Sequence, residues 1–446
     1  MANDARFVRA DRQQTRWDFI DLEGLLPSDH RARIVVAFVG QLDLSRLYEA
    51  IKAREGEPGR PPPDPAVPPP DPAVPPPDPA VLMALWLYAT IEGVGSARQL
   101  ERLAQSEVAY RWIAGGVPLN YHGLADFRVA HLEALDRLLT ESVTALIEAG
   151  VISLSEIAVD GTKVRANAGR GSFKTSDKLS RIEAAVERRL GELKAEVAND
   201  PEASSRRKRA AQERAAREVK ERAQRARAAV EKIRAEKEKR ARRHKADEAR
   251  KKSEPGASLS DPEARNMRFA DGAVRPGYNV QIAGTPTEGV IVSVEVTDRR
   301  NDAGLAGPMV DDIEQRYGVA PTDLLVDTNY ATADDIAALA ARDGHPVAVY
   351  APQPAERNDV KPETLARRAR QRAKEPDSVR AWRDRMDSSA GQQVYRRRKL
   401  IERINAHLKN RGFGILPVRG LIKAKAVALW HALANNLMVA HRLAAA

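Results

Sequence analysis

A single carboxylate lies among many cations in the segment 395–409, which contains no Pro or Gly and predicts a helix. On a helical wheel of about 100° per residue, four polar positions fall on one side: Tyr395, Arg398, Glu402 and Lys409. Leu and Ile side chains fall on the opposite side, which predicts that this side packs on a core. A lone acid in a cationic field suits a metal ligand beside a phosphate-binding surface. The alternative is an ordinary basic amphipathic helix in which Glu402 pairs locally with Arg398.

Two predicted buried strands elsewhere in the chain each end on an aspartate. Residues 155–160 form a short apolar run that ends on Asp160, and residues 322–327 form another that ends on Asp327. Because Asp before Gly is usually a turn former, Asp160 also has a purely structural interpretation. Asp334 and Asp335 follow soon after Asp327, but they fit the first turn of a helix, where acids are favourable, better than a ligand role.

The four polar positions are separated by gaps of two, three and six residues. This spacing resembles the Tyr-Arg-Glu-Lys signature of bacterial insertion-sequence transposases, which have an Asp-Asp-Glu (DDE) site on a ribonuclease-H-like core. The segments 160–163 (Asp-Gly-Thr-Lys) and 275–281 (Arg-Pro-Gly-Tyr-Asn-Val-Gln) resemble blocks of the same family. The family usually has Gly where Asn329 stands, and since Asn tolerates a left-handed conformation this departure is mild.

The resemblance implies a catalytic and metal-binding triad of Asp160, Asp327 and Glu402. In a ribonuclease-H-like sheet the two aspartate strands are parallel neighbours, so we expect their carboxylates to lie side by side, with the glutamate leaning in from its helix. Oxygen ligands without His or Cys select Mg²⁺ or Mn²⁺, and two such ions could promote an in-line phosphodiester displacement. Five further residues are predicted to hold DNA: Tyr395, Arg398, Lys409, Lys163 and Arg165.

The charge of the chain points to a polyanionic partner. The formal net charge is +11, and residues 206–252 alone hold 21 Lys and Arg against 8 Asp and Glu, so the rest of the chain is close to neutral. Zero Cys excludes disulfides and thiolate metal sites. No apolar run approaches the length of a membrane span, and the first residues lack an apolar signal region, so we expect no membrane and a cytoplasmic, nucleoid-associated bacterial protein.

Composition and periodicity divide the chain into segments. The heptad Pro-Pro-Pro-Asp-Pro-Ala-Val occurs three times within 61–81 and predicts extended polyproline II. Residues 178–197 have a coiled-coil spacing, and the charged residues 202–252 predict a second helix that returns along the first. Either a solvated hairpin or an arm that contacts phosphates fits this pattern.

The predicted fold class is α/β, with a ribonuclease-H-like mixed sheet core, a helical N-terminal domain and an inserted long helical hairpin. The predicted units are an N-terminal helical DNA-binding domain (1–60 and 82–150), a proline-rich linker (61–81), the catalytic core (151–177 and 262–420), the inserted hairpin (178–261) and a C-terminal packing helix (421–446). The predicted function is a DNA transposase that cleaves the ends of its element and joins them to target DNA. Its expected partner is double-stranded DNA, both the terminal inverted repeats and the target, bound by a homodimer. A related metal-dependent nuclease, an inactive transposase relic and a non-catalytic basic nucleic-acid scaffold are the alternatives.

Overall fold

The computed structural model describes residues 21–49, 51, 76–199, 203–244, 254–354 and 362–445. The predictions for residues 1–20, for most of the proline repeat and for residues 245–252 therefore lie outside the described residues.

Up to residue 150 the described chain contains helices joined by turns and loops, and it begins with a short 3-10 helix (Glu23–Leu25). Its helices are α1 (Arg31–Val39), α2 (Ser45–Glu49), α3 (Pro79–Ile91), α4 (Ala97–Ser106), α5 (Val108–Ala114), α6 (Tyr121–Ala130) and α7 (Leu132–Glu148). From the sequence, Asp78 followed by Pro79 predicts the start of α3, and Ser96 predicts the start of α4. Both are confirmed: the Asp78 carboxylate accepts a hydrogen bond from the backbone N–H of Ala80 at 2.8 Å, and the Ser96 side chain accepts one from the N–H of Gln99.

From the sequence, Asp126-Phe127-Arg128 and the Leu residues that follow predict one helix that opens at 126–128 and continues through Leu139. This prediction is wrong. Helix α6 begins earlier, because the side chain of Asn120 caps it by accepting a hydrogen bond from the N–H of Gly123 at 2.7 Å. His131 leaves the helical conformation, with φ −114° and ψ 44°, and separates α6 from α7. The apolar spacing continues across this break, so the sequence pattern does not reveal it.

A mixed sheet forms the centre of the molecule. The strands are β1 (Glu156–Arg165), β2 (Phe173–Thr175), β3 (Gly256–Ser258), β4 (Arg265–Arg268), β5 (Val274–Gly284), β6 (Ile291–Thr297), β7 (Asp323–Leu325) and β8 (Ala348–Tyr350). The order is β4-β5-β1-β7-β8, with β6 also paired to β5; β1 is antiparallel to β5 and parallel to β7, and β7 is parallel to β8. Alternating residues over 277–283 and 290–296 predict a hairpin, which the β5–β6 pair confirms. The sheet is consistent with a ribonuclease-H-like core.

Two long helices, α8 (Ser176–Asn199) and α9 (Ala203–His244), are inserted between β2 and β3, which pair with each other. The helices run antiparallel, since Lys220 pairs with Glu187 at 2.8 Å while the later Arg227 pairs with the earlier Glu183 at 3.1 Å. The C-terminal part of α9 contacts the sheet at the base of the hairpin. The contact is made by Arg265, which is 5% exposed and bonds Glu236 of α9 and Asp298. The insertion is therefore fixed to the core at its base.

The remaining helices cover the sheet. They are α10 (Ala306–Tyr317), α11 (Ala333–Ala340), α12 (Pro362–Arg372), α13 (Asp377–Asp387), α14 (Ser389–Arg396), α15 (Lys399–Asn410) and α16 (Leu421–Ala444). Helix α16 is largely buried against β6, α3 and α7, and Asn436 bonds both the N–H and the carbonyl of Ile291. It thus joins the N-terminal helices to the sheet. Within the described chain, no helix has the length and apolar character needed to cross a membrane.

Candidate active site

The helix predicted over 395–409 is two helices, so the prediction of one continuous helix is wrong. Helix α14 ends at Arg396 and α15 begins at Lys399. Between them the backbone forms hydrogen bonds between residues three apart, as in a 3-10 helix. The N–H of Arg398 donates to the carbonyl of Tyr395, and that of Ile401 donates to the carbonyl of Arg398, both at 3.0 Å. In such a turn, residues three apart lie on the same side, which places Tyr395 and Arg398 one above the other.

Arg398 joins two of the three predicted carboxylates. Its Nη2 donates to Oδ1 of Asp160 at 2.7 Å, and its Nη1 donates to Oε1 of Glu402 at 2.8 Å. The Arg398 side chain is 9% exposed, that of Asp160 19% and that of Glu402 60%. The structure thus brings Asp160 and Glu402 to one guanidinium, although they are distant in sequence, and it also contains the local Arg398–Glu402 pair expected of an ordinary amphipathic helix.

Asp160 lies in the middle of β1, so the prediction that the strand ends there is wrong. The strand continues to Arg165 because β5 pairs with it from Ala158 to that residue. The parallel pairing with β7 stops at Ala158↔Leu325, two residues before Asp160. Continued in register, Asp327 stands opposite Asp160, just past the last residue of β7.

Asp327 begins a turn in which its carbonyl accepts a hydrogen bond from the N–H of Tyr330 at 3.0 Å. Nδ2 of Asn329 donates to Oδ2 of Asp327 at 3.3 Å, and the carboxylate is half-buried. The predicted helix near Thr332 is confirmed: the Thr332 side chain caps α11, and Asp335 bonds the cap instead of facing the site.

The electrostatics show that these groups form one cluster. Burial raises the pKa of Asp160 above its usual range, Arg398 and Asn405 oppose the rise, and the charge of Asp327 adds to it. Burial also raises the pKa of the Tyr395 phenol, which feels the charges of Arg398 and Asp327. The charges of all three predicted carboxylates therefore act on the same arginine, Arg398.

The other predicted DNA-binding residues are distributed differently. Lys409 is exposed on α15, about 10 Å along the helix from Glu402. Lys163 and Arg165 lie an odd number of residues from Asp160 on an unbroken stretch of β1, so they face the opposite side of the sheet. The structure does not bring them together with Tyr395 and Arg398, and their contact with DNA stays a prediction.

The residue types of the cluster suit a divalent ion, but their arrangement does not. Both oxygens of Asp160 are engaged, Oδ1 by Arg398 and Oδ2 by Nδ2 of Asn405 at 2.7 Å. Across the described ranges, no group of three or more His, Cys, Asp or Glu residues is placed to hold a metal ion. Each oxygen of Asp160 therefore accepts one hydrogen bond and keeps a further acceptor site, and the guanidinium bridges Asp160 and Glu402.

Sequence reasoning missed Asn405, which shares a helix face with Arg398 at a spacing of seven residues. It also missed a polar network on the other face of β1. There Nε2 of Gln281 and Nδ2 of Asn279 both donate to Oδ1 of Asp302, at 3.0 and 2.7 Å, and the hydroxyl of the buried Tyr330 donates to Oε1 of Gln281. The available signal was the presence of two polar residues, Asn279 and Gln281, in an otherwise apolar central strand.

Gly161 lies against this network, and its lack of a side chain is required. A Cβ at this position would be 2.5 Å from Oδ1 of Asp302, 2.7 Å from Nε2 of Gln281 and 3.0 Å from the Tyr330 hydroxyl. The Asp-Gly pair that looked like a turn is instead a strand segment with a charged group on one face and a tight polar contact on the other.

Residues 233–438 match the family model described as a transposase DDE domain. The match covers just under half of the chain; it includes Asp327 and Glu402 and leaves out Asp160. It supports a transposase of the DDE type and, with it, a DNA substrate. The chain matches no curated protein and no solved structure.

Proposed function

We propose that this chain is an insertion-sequence transposase that cleaves the ends of its element and joins them to target DNA. The observation that carries the proposal is the convergence on Arg398 of Asp160 and Glu402, with Asp327 just past the end of the neighbouring parallel strand. Two carboxylates on a buried guanidinium also occur at Arg265 and Arg316. The arrangement at Arg398 differs because the charge of a third carboxylate, Asp327, also acts on the guanidinium.

In this proposal the carboxylates of Asp160, Asp327 and Glu402 are the catalytic groups. Tyr395, Arg398 and Lys409 hold the DNA strand beside the scissile phosphate, with the phenol and the cations as donors to phosphate oxygens. The predicted pair of Mg²⁺ or Mn²⁺ ions belongs to the proposal, and no step is assigned to it, because Asp160 is engaged by Arg398 and Asn405. The Tyr-Arg-Glu-Lys signature and the insertion-sequence origin rest on the residue spacing.

The proposal extends to the partners and to the division of the chain. The N-terminal helices are proposed to recognise the terminal repeats, and a homodimer is proposed to assemble on DNA. The α8–α9 hairpin is proposed to contact the DNA backbone. Between Ala203 and His244 it holds 17 Lys and Arg against 6 Asp and Glu, so many of its cations are in excess over local acids.

The second candidate function is a transposase relic that binds DNA without cutting it. The specific observation in its favour is that both oxygens of Asp160 accept hydrogen bonds from protein groups, while no three-acid metal cluster occurs within the described part of the chain.

A cleavage assay separates the two. The substrate is a supercoiled plasmid that carries the gene with its own flanking DNA, incubated with Mg²⁺ or Mn²⁺, and nicking is measured on gels. We expect wild type to nick, and Asp160→Ala, Asp327→Ala and Glu402→Ala each to lose about a thousandfold or more in rate, since each removes several kcal/mol of stabilisation. Gel-shift affinity for the same DNA should change little.

The matched control is Asp334→Ala, which removes an exposed carboxylate seven residues after Asp327. It should nick at the wild-type rate. Wild-type protein that binds the plasmid and never nicks it supports the relic, and an active single variant of the triad contradicts the assigned residues.

A further inference from the structure

A second site is suggested by a cavity where the N-terminal helices meet the chain after α15. The cavity has a volume of about 80 Å³ and is lined by α3, α6, α16, residues 94–95 and residues 411–417. Its walls are largely apolar and include the aromatic rings of Trp86, Phe413 and Trp430. Its polar lining comes chiefly from Arg128, Arg411 and His431. No Asp or Glu is among the lining residues.

Arg128 is buried without a carboxylate. It is 7% exposed; its Nη1 donates to the carbonyl of Gly95 at 2.5 Å, and its guanidinium lies 4.5 Å from the centre of the Trp86 ring. Its Nε has no hydrogen-bond partner among the described residues. A buried charge without a counter-charge is strongly unfavourable, and a carbonyl with an aromatic face compensates only part of the cost.

Other arginines of this chain show what a buried guanidinium ordinarily has. Arg265, Arg316 and Arg398 have side chains between 6% and 9% exposed, and each is bonded to two carboxylates. Arg128 is buried to the same depth but is bonded to no carboxylate among the described residues. Burial without an acid lowers its pKa to about 10, so it is still a cation at neutral pH.

Two more nitrogen-bearing side chains line the same cavity. Nδ1 of His431, a residue 8% exposed, also has no hydrogen-bond partner in the described chain. Burial lowers the pKa of His431 to about 3, so the ring is neutral and can donate from only one nitrogen. Arg411 is half-buried and adds a second cation to the lining.

We propose that this cavity binds a phosphate-type oxyanion, held by the guanidinium groups of Arg128 and Arg411 and by His431. Ordered water could satisfy the hydrogen bonds but not the charge of Arg128, whereas the charge of Arg411 is partly offset by Glu92. A tetrahedral oxyanion supplies both, because it offers several acceptor oxygens to the planar fork of a guanidinium. The phosphate group can belong to free phosphate or to a DNA backbone. The proposal does not depend on the catalytic one.

The test uses the full-length protein in phosphate-free buffer. Inorganic phosphate is titrated while the thermal midpoint and the fluorescence of Trp86 and Trp430, which both line the cavity, are followed; chloride at equal ionic strength is the reference. We expect a saturable rise of the midpoint with phosphate that chloride does not reproduce. Arg128→Met should weaken the apparent affinity about tenfold or more, since it removes a hydrogen bond between charged groups. It should not lower the midpoint without phosphate, because it also removes an unpaired buried charge.

The control is Arg98→Met. Arg98 lies over the ring of Tyr121 at 4.7 Å, so this variant also removes an arginine–aromatic contact, but at an exposed position outside the cavity. It should keep the full phosphate response. If Arg128→Met does not fold, Arg411→Met at the half-buried position serves instead and should also weaken phosphate binding.

A short DNA duplex then identifies the source of the phosphate. Competition between duplex and inorganic phosphate, lost in Arg128→Met, shows that the site takes a DNA phosphate, whereas phosphate binding unaffected by duplex shows that it takes a free oxyanion. The proposal is overturned if phosphate gives no more stabilisation than chloride, or if Arg128→Met and Arg98→Met respond alike.

Discussion

The two faces of β1 hold polar groups in opposite ways. On the face of Asp160, long side chains from the α14–α15 junction supply the partners, and one of the linked carboxylates, Glu402, is 60% exposed. On the face of Gly161, Gln281, Asp302 and Tyr330 form a compact network in which Gln281 and Tyr330 are each 1% exposed. We call the face of Asp160 the open face and the face of Gly161 the closed face, where Gln281 and Tyr330 are buried and Asp302 and Gly161 are half-buried.

This difference suggests that the open face takes part in the reaction and that the closed face holds the catalytic segments in place. The open face can exchange partners, because an incoming phosphate or cation can compete with Arg398 from the exposed side. The closed face cannot, since an unsatisfied polar atom there is costly. Tyr330 follows Asp327 within one turn, and its hydroxyl is bonded to Gln281 opposite Gly161. We infer that the closed face fixes the segments that carry Asp160 and Asp327 relative to each other.

The largest effect on stability should come from Asp160→Ala. It leaves the buried Arg398 with Glu402 alone, and we expect the free energy of unfolding to fall by about 3 kcal/mol, measured by denaturant unfolding. Asp136→Ala is the matched control: it removes one of the two carboxylates bound to the buried Arg316, far from the site. Both variants should be destabilised to a similar extent, and only Asp160→Ala should abolish cleavage. Loss of cleavage in both would mean that destabilisation alone explains the effect.

The sequence predicted the elements of this region better than their contacts. The two aspartate strands, the hairpin of β5 and β6 and the terminal helix could be read from short apolar runs and turn residues, because those signals are local. The continuation of β1 beyond Gly161 could not, since the pairing of β5 overrides the turn tendency of Asp-Gly. The break between α14 and α15 at Arg398 could not be predicted either, because the residues on both sides of it have similar helix propensity.

The Gly161 network could not be predicted at all. Its members come from β1, β5, the segment after β6 and the turn after β7, and no spacing in the sequence connects them. Sequence alone also placed Lys163 and Arg165 near Asp160, although the alternation of a strand puts residues an odd number of positions apart on opposite faces. The boundary of the strand had to be known before that rule could be applied.

An intermediate effect is expected for Tyr330→Phe. It leaves the buried Oε1 of Gln281 without its donor, and we expect a loss of about 1–2 kcal/mol in the free energy of unfolding. If the closed face positions the aspartates, cleavage should also fall about tenfold or more, because small displacements of reacting groups are costly. Tyr317→Phe is the matched control, since its hydroxyl donates to the carbonyl of Val292 at 2.7 Å elsewhere in the core. It should lose similar stability with normal cleavage, and equal cleavage by the two variants would show that the network is only structural.

The smallest effect on stability should come from Glu402→Ala. Glu402 is 60% exposed and its pair with Arg398 is four residues apart on one helical segment, so we expect a cost below about 1 kcal/mol. Arg398 keeps its bond to Asp160 at 2.7 Å, so the buried cation stays compensated. Cleavage should nevertheless disappear as completely as in Asp160→Ala. A carboxylate that contributes little to folding but is essential for cleavage takes part in the reaction. A large loss of stability with cleavage retained would instead mean that Glu402 serves only as an ion-pair partner of Arg398.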